Sequence, residues 1–453
     1  MLVSFNPATG ELLREYRVHS PLEVSVIVDE VHAAWRAWKE TSFESRALLM
    51  KQVAMVLRTK KEEYARLMTM EMGKLFRESL AEIEKCAWVC DFYADRVAEM
   101  LKDEEIATDA SRSFVSFEPL GVILAVMPWN FPFWQVIRFA APALMAGNAA
   151  VLKHASNVPG CALAIEEIFL EAGFPLNLFR ALMIPSSMVD AVIANPAVVA
   201  ATLTGSEAAG SQVASLAGKH LKKMVLELGG ADPFIVLNDA DLDLAIKTAV
   251  TARMINQGQS CIAAKRFIVM DAVAFRFETG IKEALEALQM GDPMLPETQV
   301  GPLARPDLVD EIERQVERSV AAGARLVTGG SRSNRQGCYF QPTILADVRP
   351  GMPVYSEETF GPVVTIIPVG SEAEAIHVAN DSPFGLGGCV WTRDLKRGEA
   401  LARKVETGAM FVNGMTKSDP RLPFGGIKKS GYGRELGSYG IREFVNIKTI
   451  WIG

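Results

Sequence analysis

The feature that most constrains the fold of this chain is an alternation of short apolar runs with helical stretches from Phe114 onward. The first series of runs is VILAVM, AAVLKH, VAATLT, KMVLEL, PFIVLN and RFIVM. A second series follows, RLVTGG, VVTIIPV and GGCVWT, separated by Gly-rich and Pro-rich turns. Parallel strands need helical crossovers to join them, so this alternation predicts an α/β fold with doubly wound parallel sheets.

The segments before and after this α/β region show other patterns of apolar residues. From Pro21 to Ala107 apolar residues recur three and four apart, as in VHAAWRAW and LLMKQVAMVL, which predicts amphipathic helices. The closing residues VNIKTIWIG are apolar and β-prone, and a terminal strand of this kind needs a partner. At 453 residues the chain is too long for one ordinary core. We expect two or three lobes and an oligomer.

Composition limits the possible partners. Lys and Arg number 47 against 54 Asp and Glu, giving a net charge of -7 and no basic excess that would attract nucleic acid or anionic lipid. No secretory signal is evident, and the longest apolar run, Leu120 to Met127, is too short to cross a bilayer. Six irregularly spaced cysteines are not typical of a disulfide framework. These features predict a cytoplasmic, reduced protein that binds small molecules, not nucleic acid or membrane.

Cys86 and Cys90 are four residues apart on a predicted helix, a spacing that could suit a metal ligand pair. No His lies nearby, and packing of an apolar helix face explains both residues. We therefore predict no metal site.

Gly205 and Ser206 form the junction between the strand VVAATLT and the helix EAAGSQVASLAG. A helix start of this kind presents free backbone N–H groups and the positive end of the helix dipole, which favour a phosphate. The chain has no G-x-G-x-x-G, so the standard Rossmann fingerprint is absent. Many such turns bind nothing, so the turn alone leaves a phosphate site and a plain connection both open.

Three residues have the properties of a catalytic set. Cys261 ends the amide-rich stretch NQGQSC, where a thiol could project into a cleft instead of being buried. Glu227 stands among apolar residues in KMVLELGG, and burial would raise its pKa as a general base requires. Asn130 in PWNFPFW could join the Cys261 backbone N–H as an oxyanion donor, with Pro132 starting a helix. The alternatives are a buried thiol, a charged strand end and a turn-forming Asn.

Together these segments resemble the NAD(P)-dependent aldehyde dehydrogenase superfamily over nearly the whole chain. Within it, the chain is most similar to the short succinate-semialdehyde dehydrogenases of bacteria. The matching segments, in the family's order, are WNFP at 129–132, LKHAS at 152–156, LTGS at 203–206, LELGG at 226–230, NQGQSC at 256–261, EETFGPV at 357–363 and PFGGIKKSGYGRELG at 423–437.

The resemblance implies three lobes. Residues 1–108 and 120–226 would form a cofactor-binding domain, and residues 227–435 a catalytic domain. A small β-flap of residues 109–119 and 436–453 would serve oligomerisation. Such a flap implies a homodimer or a dimer of dimers.

The resemblance also implies how the residues act. Cys261 would be the nucleophile, Glu227 the general base and Asn130 the oxyanion donor. The aldehyde would be oxidised to the carboxylic acid through a thiohemiacetal and a thioester, with the hydride passing to NAD(P). The implied cofactor-binding residues are Trp129, Lys153, Ser156, Gly205, Ser206, Leu228, Glu358 and Phe360.

One departure from the family concerns cofactor choice. The family's usual run after the ribose-binding lysine is Lys-Pro-x-Glu, whereas this chain has Lys153-His154-Ala155-Ser156. A serine in the Glu position removes a repulsion of the 2′-phosphate and supplies a hydroxyl donor. We expect NADP to be preferred, with NAD as the alternative.

The predicted substrate site depends on the helix after Pro132. Trp134 and Arg138 are four residues apart and share one face of it. Arg138 could pair with the far carboxylate of succinic semialdehyde, assisted by Ser418; a structural ion pair is the alternative. Other small aldehydes remain alternative substrates. A non-redox cysteine acyl-transferase or thioester hydrolase is the alternative activity.

Overall fold

The computed structural model describes all 453 residues. The helices are α1 (Pro21–Trp38), α2 (Phe43–Thr59), α3 (Lys61–Met72), α4 (Phe76–Met100), α5 (Trp134–Met145), α6 (Pro159–Glu171), α7 (Val189–Ala194), α8 (Glu207–Lys219), α9 (Leu242–Met254), α10 (Asp271–Glu286), α11 (Pro306–Ala321), α12 (Pro353–Ser356), α13 (Glu372–Asn380), α14 (Leu395–Ala402) and α15 (Gly437–Ile441).

The strands are β1 (Leu2–Phe5), β2 (Leu12–Tyr16), β3 (Glu104–Glu105), β4 (Arg112–Pro119), β5 (Val122–Met127), β6 (Ala149–His154), β7 (Phe179–Ala181), β8 (Val198–Thr204), β9 (Lys223–Glu227), β10 (Asp232–Val236), β11 (Ala264–Met270), β12 (Arg325–Thr328), β13 (Thr343–Ala346), β14 (Val363–Val369), β15 (Phe384–Gly385), β16 (Cys389–Trp391), β17 (Phe411–Val412), β18 (Ile427–Lys428), β19 (Gly431–Tyr432) and β20 (Val445–Ile452).

A six-stranded sheet in the order β19-β9-β8-β5-β6-β7 forms the first α/β unit. Its strands are parallel except β19, and β5 is buried between β6 and β8. The helices α5 to α8 make the crossovers, as the alternation predicts. Because parallel strands place their carboxyl ends at one edge, the loops after β5, β8 and β9 converge there. Those loops carry Asn130, Ser206 and Leu228.

A seven-stranded sheet in the order β12-β13-β14-β11-β10-β16-β17 forms the second unit. All neighbouring pairs are parallel except β12 with β13. Helix α9 connects β10 to the turn that precedes β11, and Cys261 lies in that turn. The α/β class with two parallel-sheet units is thus confirmed.

A three-stranded antiparallel sheet, β20-β4-β3, carries the terminal strand. β20 pairs with β4 along its whole length, from Val445 opposite Pro119 to Ile452 opposite Arg112. The side chains of Ile447 and Trp451 on β20 stay 61% and 56% exposed. The predicted terminal strand is present, with apolar residues facing outward.

Some short elements were not predicted or lie across the predicted domain boundaries. The β1–β2 hairpin precedes the first helix, and β3 pairs with β4 although it falls within residues 1–108. Both Glu227 and β19 belong to the six-stranded sheet, although they fall within residues 227–435. Strands of two residues are too short to show any periodic pattern. No helix has the length and apolarity needed to cross a membrane.

Candidate active site

The turn that holds Cys261 has an unusual backbone. Asn256, Gln257 and Gly258 all have positive φ values, of 50°, 55° and 78°, and the first two lack glycine's freedom in that region. The buried guanidinium of Arg253 holds the turn by donating to carbonyl oxygens within it, just after it, and in the segment 359–361 that lies against it. These acceptors are Gly258 at 2.8 Å, Ala264 at 3.1 Å, Thr359 at 3.2 Å, and Gly361.

A second buried cation supports the main chain at Cys261. Lys265 Nζ donates to the carbonyl oxygens of Ser260 and Cys261, both at 2.9 Å. It also pairs with Glu358 Oε1 at 3.3 Å, and that oxygen accepts the backbone N–H of Gly230 at 2.9 Å. Lys265 therefore fixes both the main chain at Cys261 and the carboxylate of Glu358.

Cys261 is the one cysteine that is not fully buried; the other five are. Burial nevertheless raises the pKa of its thiol to about 12, while the nearby charges of Lys265 and Arg138 act in the opposite direction. The thiol is thus reachable from solvent but protonated at neutral pH. It must lose its proton before it can attack an aldehyde.

Asn130 has the orientation of an oxyanion donor. Its Oδ1 accepts from Gln135 Nε2 at 3.1 Å, which fixes the amide so that Nδ2 points toward the turn at Cys261. Nδ2 donates one hydrogen to Gln259 O at 3.0 Å, leaving its second hydrogen available. The backbone N–H of Cys261 forms no hydrogen bond within the protein, so two donors remain for an oxyanion.

Two clefts meet at Cys261. The larger, about 780 Å³, and the smaller, about 240 Å³, share Cys261 and Gln135 as lining residues. A thiol at this junction can reach a molecule in either cleft. We refer to them as the cofactor-side cleft and the aldehyde-side cleft.

The cofactor-side cleft brings together most of the predicted cofactor-binding residues: Trp129, Gly205, Ser206, Leu228, Glu358 and Phe360. Ser206 caps α8 by accepting the N–H of Ala209, so the start of that helix faces the cleft. The rings of Trp129 and Phe360 pack edge to face, 5.8 Å apart.

The donors and shape of this cleft fit a dinucleotide. The helix start offers N–H groups for phosphates, and Glu358 offers a carboxylate for a ribose. A Cβ at Gly229 would collide with the Glu358 carboxylate, so glycine here lets that carboxylate lie close to the main chain. Lys153 and Ser156 do not line the cleft; they lie at and after the end of β6, with Lys153 buried and Ser156 exposed.

The aldehyde-side cleft brings together all three predicted substrate residues, Trp134, Arg138 and Ser418. Helix α5 begins at Trp134, two residues after Pro132, because Glu82 Oε1 accepts the N–H groups of both Phe133 and Trp134. This fixes the helix face that carries Trp134 and Arg138 toward the cleft.

The guanidinium of Arg138 is not free. It is 3% exposed, forms an ion pair with buried Glu435, and lies over the Phe424 ring at 4.8 Å. The structure therefore favours the alternative stated for Arg138, a structural ion pair, over a guanidinium that waits for a substrate carboxylate. The residues around Arg138 could not indicate this ion-pair partner, because Glu435 lies much later in the chain, in the loop that precedes α15.

Glu227 is buried at the end of β9 with 2% exposure, and neither of its oxygens has a hydrogen-bond partner. Burial, and next the charge of Glu435, raise its pKa well above the ordinary value of 4.5, as the sequence predicts for a general base. Its side chain lines neither cleft. To act on a water beside Cys261 the carboxylate must turn toward the thiol.

Sequence reasoning missed several residues of the site. Gln135 orients Asn130, Lys265 supports the Cys261 main chain, and Lys85 lines the aldehyde-side cleft. Cys86 and Cys90 are buried in α4, and no group of three His, Cys, Asp or Glu side chains could hold a metal ion. Lys85 lies on the same helix as Cys86 and Cys90, but the residues around it do not indicate that its side chain faces a cleft.

Comparison with known proteins identifies the family. Residues 2–450 match the aldehyde dehydrogenase family, and the chain belongs to that family. This confirms the superfamily predicted from the motifs.

Individual relatives are similar over their full length. A probable succinate-semialdehyde dehydrogenase (NADP+) of Synechocystis sp. is 54% identical over 451 residues, covering 100% of this chain and 99% of that protein. Succinate-semialdehyde dehydrogenase (NADP+) 1 of Mycobacterium tuberculosis is 47% identical over 454 residues, with the same coverage. The crystal structure of succinic semialdehyde dehydrogenase from Streptococcus pyogenes with NADP+ is 41% identical, with a TM-score of 0.98 and 100% of both chains covered.

Proposed function

We propose that this protein oxidises succinic semialdehyde to succinate with NADP. The observation that carries the proposal is the position of Cys261 at the junction of two clefts, one suited to a dinucleotide and the other small and lined in part by Trp134. The names of the full-length relatives support the same substrate and cofactor.

The first half of the reaction takes place at Cys261. The thiol passes its proton to solvent water, and the sulfur then adds to the aldehyde carbon and forms a thiohemiacetal. The oxyanion accepts hydrogen bonds from Asn130 Nδ2 and from the Cys261 backbone N–H, donors fixed before the reaction starts. A bound nicotinamide supplies the hydride acceptor. Loss of hydride leaves a thioester on Cys261.

The second half is hydrolysis, which we assign to Glu227. A carboxyl group with a raised pKa can accept a proton from water near neutral pH, whereas an ordinary glutamate is a weak base there. Glu227 would turn toward the thioester and activate a water for attack on it. Cys261 then leaves as the thiolate and the acid is released.

The residues near Ser156 support the choice of NADP. Ser156 is exposed, and no carboxylate stands at this position to repel a 2′-phosphate. We propose that Lys153 bonds the adenosine ribose and that Ser156 donates to the 2′-phosphate. Glu358 would bond the other ribose, and Trp129, Leu228 and Phe360 would pack near the nicotinamide.

A homodimer, a dimer of dimers and a cytoplasmic location also remain proposals. The exposed apolar side chains on β20 support the oligomer, because a partner's sheet could cover them.

The test is a panel of aldehydes, each assayed with NADP and with NAD. We expect kcat/KM for succinic semialdehyde to exceed that for butanal at least tenfold, and NADP to be the better cofactor. A preference for uncharged aldehydes would refute the substrate. Thioester hydrolysis without any nicotinamide reduction would instead support the non-redox alternative.

A further inference from the structure

A buried imidazole lies beside the loop that carries Asn130. It belongs to His154, the last residue of β6, whose register partner at the end of β5 is Met127. The two ring nitrogens face carbonyl oxygens on either side of the loop segment 128–131. Nδ1 lies 3.2 Å from the oxygen of Met127, and Nε2 lies 3.0 Å from that of Pro132. One side chain therefore contacts the main chain at both ends of the segment that holds Asn130.

The hydrogen-bond partners of the ring fix its tautomer. Nδ1 accepts the backbone N–H of Ala155 at 2.9 Å, so it carries no hydrogen of its own. Burial lowers the pKa of the imidazole to about 4, and the ring is therefore neutral near pH 7. The single hydrogen of a neutral imidazole must then lie on Nε2, which donates it to the carbonyl oxygen of Pro132.

The carbonyl oxygen of Pro132 depends on this donor. Helix α5 takes up the carbonyl oxygens on either side of it, since the N–H of Gln135 donates to Phe131 at 3.1 Å and that of Ile137 donates to Phe133 at 2.9 Å. No backbone N–H donates to the oxygen of Pro132, a buried residue. A buried carbonyl left without a donor is costly, so removing the imidazole would favour a shift of the loop.

Asn130 is held at two other points. Gln135 fixes its side-chain amide, and Asn256 Nδ2 donates to its backbone carbonyl oxygen at 2.8 Å. The first bond comes from α5 and the second from the turn at Cys261. His154 adds the connection to β6, and so to the six-stranded sheet.

We propose that His154 is a positioning residue for Asn130. By donating to Pro132, the imidazole fixes the segment 128–131, so that Asn130 Nδ2 stays in place beside the Cys261 backbone N–H while the oxyanion forms. His154 lines neither cleft and acts only through the loop. The proposal rests on the function proposed above, in which Asn130 stabilises the oxyanion.

The experiment compares His154→Gln with His154→Asn. The amide of Gln can place an N–H near the position of Nε2 and reach Pro132, whereas the shorter Asn reaches only the position of Nδ1. We expect His154→Gln to keep most of the wild-type burst rate of NADPH formation. His154→Asn should lower it about tenfold to a hundredfold, equally for succinic semialdehyde and butanal, because small misplacements of a reacting group slow the chemical step. The Kd for NADPH, measured by fluorescence titration, should be unchanged in both variants. Equal burst rates in the two variants would overturn the proposal.

A double-variant cycle tests whether His154 acts through Asn130. Asn130→Ala alone should slow the burst about a hundredfold or more, and adding His154→Asn should cost little further, since the positioned amide is already gone. Losses that multiply would overturn the positioning role. If Asn130→Ala keeps the wild-type burst rate, the proposed function of Asn130 itself fails; a slow Asn130→Ala beside a normal His154→Asn overturns the role of His154 alone.

His19→Asn is the matched control. The Nδ1 atom of His19 also accepts a backbone N–H, that of Met183 at 3.3 Å, but His19 lines neither cleft and does not contact the loop of Asn130. Its burst rate should equal that of wild type. A loss as large as that of His154→Asn would overturn the proposal, because any imidazole bonded to the main chain would then have the same effect.

Discussion

Replacing Arg138 by leucine should destabilise the protein and damage turnover of every aldehyde. The buried guanidinium pairs with Glu435, and its charge also lowers the raised pKa of buried Glu227. Removing it leaves two buried carboxyl groups without their cation. Breaking a buried ion pair from one side costs about 3–5 kcal/mol.

That cost can be translated into a melting temperature. For 453 residues unfolding as one unit, about 1 kcal/mol corresponds to one degree, so Tm should fall by about 3–5 °C. The assay is thermal unfolding of Arg138→Leu, Glu435→Gln and the double variant Arg138→Leu/Glu435→Leu. The double variant should recover much of the loss, because it leaves no unpaired charge at that position.

The loss should also depend on pH. Without Arg138 the pKa of Glu435, already raised above its ordinary value of 4.5 by burial, rises further in the folded state. The folded protein then binds more protons than the unfolded chain above about pH 4.5, so stability falls as pH increases. The deficit relative to wild type should be larger at pH 7 than at pH 5.

The matched control is Arg96→Leu, which breaks the exposed Arg96–Glu99 pair and should change stability by less than about 1 kcal/mol. The reasoning is refuted if Arg138→Leu keeps the wild-type Tm and loses activity on succinic semialdehyde alone. That result would mean that Arg138 binds the substrate carboxylate directly.

The remaining predictions concern the proposed catalytic residues and the cofactor. Cys261→Ser should abolish turnover while fluorescence titration still shows NADPH binding; residual turnover near wild type would remove Cys261 from the mechanism. Glu227→Gln should release one equivalent of NADPH in a stopped-flow burst and then stop, because thioester hydrolysis fails; absence of a burst would mean that Glu227 also serves the first half-reaction. Ser156→Glu should weaken NADP binding by roughly 2–3 kcal/mol and NAD binding far less, since only NADP brings a second negative charge close. Equal weakening of both cofactors would place the 2′-phosphate elsewhere.

Elements with a strong local pattern could be predicted from the sequence. The strands β5, β6 and β8 are apolar runs bounded by turns, and the Gly205-Ser206 junction does start a helix. Asn130 and Cys261 could be singled out because each sits in a short motif that matches the family's, whereas the residues alone left a turn-forming Asn and a buried thiol as alternatives. In each case the residues within a few positions carry the information.

Pairings across long sequence separations could not be predicted. Lys85 and Ser418 are 333 residues apart, and nothing near either one indicates that they meet. Arg138 illustrates the same limit, because its local spacing correctly places it on the cleft wall but says nothing of Glu435. Whether a buried charged side chain has an ion-pair partner depends on the fold as a whole.

The way the turn at Cys261 is held has a consequence for how the enzyme can diversify. Arg253 and Lys265 hold this turn by donating hydrogen bonds to carbonyl oxygens of the main chain, which every amino acid supplies. Ile262, beside Cys261, lines the aldehyde-side cleft, and none of the hydrogen bonds of the two cations involves it. Substitutions at Ile262 can therefore reshape the space for the aldehyde while the sulfur keeps its place, so selectivity and catalytic geometry are free to evolve separately.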